Sequence, residues 1–211
     1  MKKLNLLLVA LVLAAQLMAQ ETKPAPSSPS TSSMIAGRLG FYGGINFANI
    51  NGDSQSYSTL TGWQAGIMYC IFSSGGLFSC WLEPGYNAIG AKYGDSYGGG
   101  NYSGSVALGY IMVPVIARFQ SEKGLFGDIG VQPQFLVSAK DKYSGGSHDY
   151  KNYVNGFDMG IPVGVGYEYK KKFGISARYC FGITNINKMS SDGKDHNSVF
   201  SIRLHYRLAG K

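Results

Sequence analysis

Long apolar runs are what this 211-residue chain lacks. Its one unbroken apolar stretch, residues 6–15, is shorter than the about 20 residues a helix needs to cross a bilayer, so no segment reads as a membrane-spanning helix. Charge is scarce too, at 15% of residues, and no basic stripe is interleaved with aromatics, which excludes a nucleic-acid-binding surface. Cysteine numbers three, and an odd count in an exported chain leaves at least one thiol unpaired. None lies near a cleavage site, so attachment as a lipoprotein is not expected.

Met1, Lys2 and Lys3 give a positive start, residues 6–15 an apolar centre and Ala19-Gln20 a small residue for cleavage, the pattern of a secretory signal over residues 1–20. Loss of Lys2 and Lys3 with it lowers the formal charge from +7 to +5. Residues 21–37 are rich in Ser, Pro and Thr, have little to bury and read as a periplasmic tether or a plain tail. Residues 38–208 make one domain of ordinary size.

That domain has abundant glycine, 30 residues, and 13% aromatics, a composition suited to strands and turns. Alternating apolar and polar positions mark strands near 38–47, 62–72, 77–91, 105–119, 125–138, 156–169, 173–186 and 197–208. In the last, Phe200, Ile202, Leu204, Tyr206 and Leu208 share one face, and Ser201, Arg203, His205 and Arg207 the other. Short connections at 73–76, 120–124 and 170–172 alternate with long polar ones at 48–61, 92–104, 139–155 and 187–196. An even strand count with that rhythm predicts an all-β, eight-stranded, antiparallel up-and-down transmembrane β-barrel in an outer membrane, both termini periplasmic.

Alternation alone also fits a soluble carrier barrel with the faces exchanged. Two features favour the membrane form. One face of 156–169 carries Gly160, Pro162, Gly164 and Gly166, small enough for a crowded lumen. Lysines gather in the signal, turns, loops and termini, whereas Arg118, Arg178, Arg203 and Arg207 lie inside strands, and arginine suits buried pairing with carboxylates. Glu83, Asp128, Asp158 and Glu168 fall on the same inferred face, giving a neutral, plugged lumen. Phe72, Phe78, Phe119, Phe173 and Tyr206 are expected at the periplasmic rim, Trp63 and Tyr86 nearer the outside.

Several stretches then resemble the outer-membrane β-barrel family called PorT-like: Gly40-Phe41-Tyr42-Gly43-Gly44-Ile45-Asn46-Phe47, Gly62-Trp63-Gln64-Ala65-Gly66, Tyr110-Ile111-Met112-Val113-Pro114, Gly164-Val165-Gly166-Tyr167-Glu168, and Arg178-Tyr179 with Gly182-Ile183-Thr184-Asn185-Ile186. Met112 stands where that family usually has glutamate, Glu83 precedes Pro84 where proline more often comes first, and Leu208-Ala209-Gly210-Lys211 replaces a terminal phenylalanine. The resemblance implies a fold and a location, with roles in secretion or surface assembly for some members, and no chemistry.

His148 with Asp149 and Ser147, and His196 with Asp195 and Ser198, have the residue types of a hydrolase, yet sequence neighbours in polar loops do not make a relay. Asp192 to His196 with Asp141 could offer ligands to a cation, but turn chemistry accounts for Asp192-Gly193 and Lys194 opposes it. No catalytic residue, metal site or cofactor is therefore expected. Tyr93, Tyr97 and Tyr102 around three glycines read either as an adaptable binding surface or as rim tyrosines. Cys70 and Cys180 are inferred to face the lumen and Cys80 the lipid, so Cys70 and Cys80 cannot bridge and three unpaired thiols are expected, with a Cys70–Cys180 bridge across the lumen as the alternative. The expected role is envelope structure, surface binding or an accessory part in assembly or secretion. Partners would be outer-membrane lipid and lipopolysaccharide, the barrel-assembly machinery and an envelope protein, with the chain monomeric. A lipid A-modifying enzyme, a narrow solute channel and a soluble carrier are the alternatives.

Overall fold

The computed structural model describes residues 39–52, 57–75, 77–97, 100–143, 145–189 and 193–208. The signal and tether expected over 1–37 lie outside them. Where the sequence reading expects eight unbroken strands, eleven form: β1 Leu39–Gly52, β2 Tyr57–Ser74, β3 Phe78–Leu82, β4 Gly85–Tyr97, β5 Gly100–Met112, β6 Val115–Gln120, β7 Leu125–Tyr143, β8 Gly146–Asp149, β9 Phe157–Tyr169, β10 Phe173–Gly182 and β11 Asp195–Arg207. All the strand pairings are antiparallel. β1, β2, β4, β5, β7, β9, β10 and β11 pair in that order, and β11 returns to β1. The sheet thus closes on itself as an up-and-down barrel, and its first and last strands are in register from Gly40↔Arg207 to Gly52↔Asp195.

Two of the extra strands come from proline. β3 gives way to β4 at Glu83-Pro84 and β5 to β6 at Val113-Pro114, because proline has no N–H to offer a ladder. The proline carbonyls still accept. Ile67 N–H donates to Pro84 (3.0 Å), Glu83 N–H to Pro114 (2.9 Å) and Val113 N–H to Pro133 (3.0 Å), so a stepped seam carries the bonding across the break. β3 and β6 pair with each other and fill the wall between β2 and β7.

The other differences lie at the end away from Leu39 and Leu208, here the far end. β4, β5 and β7 run well past 91, 105 and 138, because β4 and β5 zip together as far as Tyr97↔Gly100 and β7 takes β8 as a partner. Stretches that composition marks as loop are paired strand there. β10, by contrast, stops at Gly182 rather than 186.

Burial follows the two-residue period. On β11 the residues Asp195, Asn197, Val199, Ser201, Arg203, His205 and Arg207 are buried, while Phe200, Ile202, Leu204 and Tyr206 face out, Leu204 at 64% exposure. The outward face elsewhere carries Ile129, Val165, Phe173 and Ile175, a wall that fits hydrocarbon and not water. Aromatic pairs flank it: Phe78–Phe119 (5.0 Å) and Phe173–Tyr206 (4.8 Å) at the near end, Trp63–Tyr86 (5.2 Å) and Phe135–Phe157 (5.4 Å) towards the far end. Among the described residues no helix is long and apolar enough to cross a membrane.

Candidate functional site

The lumen holds three layers. Nearest the termini, four arginines from β6, β10 and β11 meet three carboxylates. Arg118 grips Asp128 with two bonds, Nε to Oδ1 (2.8 Å) and Nη2 to Oδ2 (2.9 Å). Arg178 Nη1 donates to Glu83 (2.8 Å) and its Nη2 to Asp128 (2.8 Å), tying the two acids together. Arg203 Nη2 reaches the same Glu83 at 2.9 Å. Glu168 accepts from Arg207, from His205 Nε2 (3.1 Å) and from Gln120 (3.3 Å). Aromatic faces cover what the acids leave bare: Arg118 lies 3.9 Å from the Phe126 ring centroid, Arg203 4.1 Å from Tyr42 and Arg207 4.8 Å from Trp81. Every one of these charged side chains is buried.

Small residues make the room. The Tyr42 hydroxyl donates to the Glu83 carbonyl (3.0 Å) between Gly66 and Gly85, whose added Cβ atoms would fall 2.5 and 2.3 Å from that oxygen. A Cβ on Gly174 would lie 2.1 Å from the His205 ring.

Asp158 stands apart, which corrects its inclusion in the ion-pair set. Its partners are the neutral groups Gln134 (2.8 Å), Asn197 (2.7 Å) and Thr184, in a second layer with Asn46, Gln64, Asn87 and Gln132. Asn46 Nδ2 donates to Asn87 (2.8 Å), Asn46 Oδ1 accepts from Gln64 (2.6 Å), and Asn87 donates to Gln134 (3.1 Å). Sequence reasoning passed over this amide layer. Its signal was there in amides standing singly at inward positions between apolar neighbours, as Gln132 and Gln134 do beside Val131, Pro133 and Phe135. Above it Ala48, Ile50, Ile89, Ala91, Val106, Leu108, Leu136 and Val199 pack as a dry apolar layer. Charge, amide and hydrocarbon fill the bore in turn.

At the far mouth, Tyr93 donates to Asp141 Oδ1 (2.6 Å), and Tyr150 stacks on Tyr153 at 5.1 Å. Burial pushes the Tyr150 hydroxyl pKa above its ordinary value, and the nearby Asp141 and Asp195 push it further the same way. The side chains of Tyr97 and Tyr102 lie outside the described residues, as does Asp192. His196 donates Nδ1 to the Thr184 carbonyl (2.9 Å), while Asp195 accepts from Asn187 (3.0 Å). His148 pairs across the sheet with Asp141, not Asp149. Cys70 is buried, Cys80 and Cys180 half-buried, and no disulfide joins them.

A family model described as outer membrane protein beta-barrel domain matches residues 18–188. Neisserial surface protein A has a solved structure similar to this one, with a TM-score of 0.50 and 12% identity over 81% of this chain and 97% of that one. Ail, the attachment invasion locus protein of Yersinia pestis, aligns with a TM-score of 0.47 and 15% identity over 82% of this chain and 100% of its own. OprG from Pseudomonas aeruginosa gives a TM-score of 0.44 and 9% identity over 83% and 97%. No match is found to curated protein sequences.

Proposed function

This chain belongs to the outer membrane protein beta-barrel domain family, and from that premise we propose a non-catalytic barrel of eight membrane transits, closed to solutes, that acts at the cell surface. Its work is envelope structure, surface binding or an accessory part in assembly or secretion. In this reading β3 with β4 and β5 with β6 are the two halves of single transits and β8 is a return strand on β7 outside the ring, which reconciles eleven strands with the ring of eight. On the same reading the near end, where Leu39 and Leu208 lie, faces the periplasm, and a signal peptide at 1–20 is removed. The quoted strand motifs support a place in the PorT-like branch. The barrel-assembly machinery, membrane lipid and lipopolysaccharide, and an envelope protein partner complete the proposal, with the barrel a monomer and Tyr93 among the residues offered at the mouth.

One observation carries it: the bore is filled along its length by side chains, from the Arg178–Glu83 contact at 2.8 Å to the apolar layer around Leu108 and Val199. Eight strands enclose a space that side chains just fill. Protein refolded in detergent and shown to be closed by a heat-dependent gel shift should be electrically silent in a planar bilayer. Steady conductance steps would overturn the closed lumen in favour of a narrow channel.

A further inference from the structure

We propose that the outer wall of the far-end sheet binds the phosphate groups of lipid in the surrounding outer leaflet, an inference that rests on the outer-membrane reading above. Pairing places Ser58, Lys92, Ser105, Lys142 and Ser147 in one continuous row across β2, β4, β5, β7 and β8. Paired residues of antiparallel strands share a face. That face is the outside, because the alternating neighbours Ala91 (0% exposed) and Val106 (6%) pack into the lumen and Asp141 holds the inward Tyr93 hydroxyl.

Two strand spacings separate the lysines, about 10 Å, and each stands between two serines. Ser58, Lys92, Ser103, Ser105 and Lys142 line one open groove of about 520 Å³. Lys140, one inward–outward repeat nearer the lipid wall, has Asp149 opposite it. Lys92 and Lys142 have no acid in their row, and among the described residues neither takes part in an ion pair. Two ammonium groups flanked by hydroxyls, with no carboxylate between them, are donors in search of a multivalent oxyanion.

Position selects the source. The row is on the barrel wall, not in its mouth, and continues the lipid-facing surface: β7 reads Phe135 (52% exposed) and Val137 (45%) outward before Lys140 and Lys142. Lys142 is five residues beyond Val137, about 12 Å of height on a tilted strand, where a flexible lysine stem can reach down to headgroups. A soluble anion would have no reason to be met at that height on the outer wall.

The test uses the full barrel in uncharged detergent, with diphosphoryl lipid A as probe and the same lipid stripped of phosphate as control. The intact protein should bind the phosphorylated form at least tenfold more tightly, and rising salt should erode the difference. A Lys92→Gln/Lys142→Gln variant should lose that preference, while Lys170→Gln/Lys171→Gln at the near end should keep it. Equal binding of both lipids, or an unaltered preference in the Lys92/Lys142 variant, overturns the proposal. So does tighter binding of soluble polyphosphate than of lipid A, which would assign the row to a soluble ligand. Heat-dependent gel mobility, recorded for each variant, separates loss of this site from loss of the barrel.

Discussion

Arg178 and Glu83, 95 residues apart in the chain, meet inside the barrel at 2.8 Å, and the same guanidinium holds Asp128 at 2.8 Å. One cation thus ties β10 to the Glu83-Pro84 break and to β7 across the bore. Buried pairs add little over well-packed apolar groups, but an acid stripped of its partner is costly.

Arg178→Ala leaves both carboxylates short of a donor and should destabilise the barrel by about 3 to 5 kcal/mol. Arg178→Lys, which keeps the charge but cannot fork between two acids, should fall between it and the parent. Urea unfolding in detergent, followed by the gel shift, gives the order. An Arg178→Ala barrel as stable as the parent would mean that this layer is hydrated.

Gly174→Ala puts a methyl group 2.1 Å from the His205 ring and must displace it from Glu168. The expected cost is about 1 to 3 kcal/mol, the usual penalty for overpacking. Gly127→Ala is the control, since the nearest atom to its added Cβ is 4.0 Å away. Thermal unfolding of the two variants side by side should separate them.

Lys170 and Lys171 turn the β9–β10 hairpin with φ of 50° and 56°, a left-handed backbone that costs a side-chain-bearing residue about 1 kcal/mol. Lys171→Gly should therefore stabilise the hairpin by up to about 1 kcal/mol, read as a higher unfolding midpoint. A lower midpoint would mean that the lysine side chain contributes more than the backbone costs.

Tyr150 holds its proton more firmly in the folded mouth than in an unfolded chain, through burial first and then Asp141 and Asp195. A raised value contributes stability that is complete below the ordinary tyrosine pKa, about 10, and is lost as pH climbs through the folded value. In an alkaline absorbance titration, the Tyr150→Phe difference should show this residue ionising later than a free tyrosine. Ionisation at the ordinary value would place its hydroxyl in open water.

The wall of the barrel was legible because it obeys a local rule. Ile202, Leu204 and Tyr206 face out and Arg203, His205 and Arg207 face in, as their alternation in sequence implies. Confinement of arginine to strands likewise pointed to the bore, where Arg118, Arg178, Arg203 and Arg207 are buried. What stayed hidden depends on neighbours across the sheet. Asp158 looks like Asp128 in sequence, yet it faces Gln134 and Asn197 where Asp128 faces Arg118 and Arg178. Lys92 and Lys142 look like loop residues until pairing through Ser105 aligns them. Glycine and serine carry too little strand propensity to announce an extended hairpin, and only hydrogen bonding to β5 and β7 makes it one.

The seam between β1 and β11 has a bearing on how such a molecule comes into being. Gly40 cannot find Arg207 until the barrel's final strand, β11, has been delivered, so the cylinder has no closed precursor. A chain cut short anywhere in its final strand would keep an open slit lined with unpaired amides, and in hydrocarbon that slit has no water to satisfy it. Closure therefore acts as a check on the barrel's own completeness, passed only by copies that carry the whole of β11.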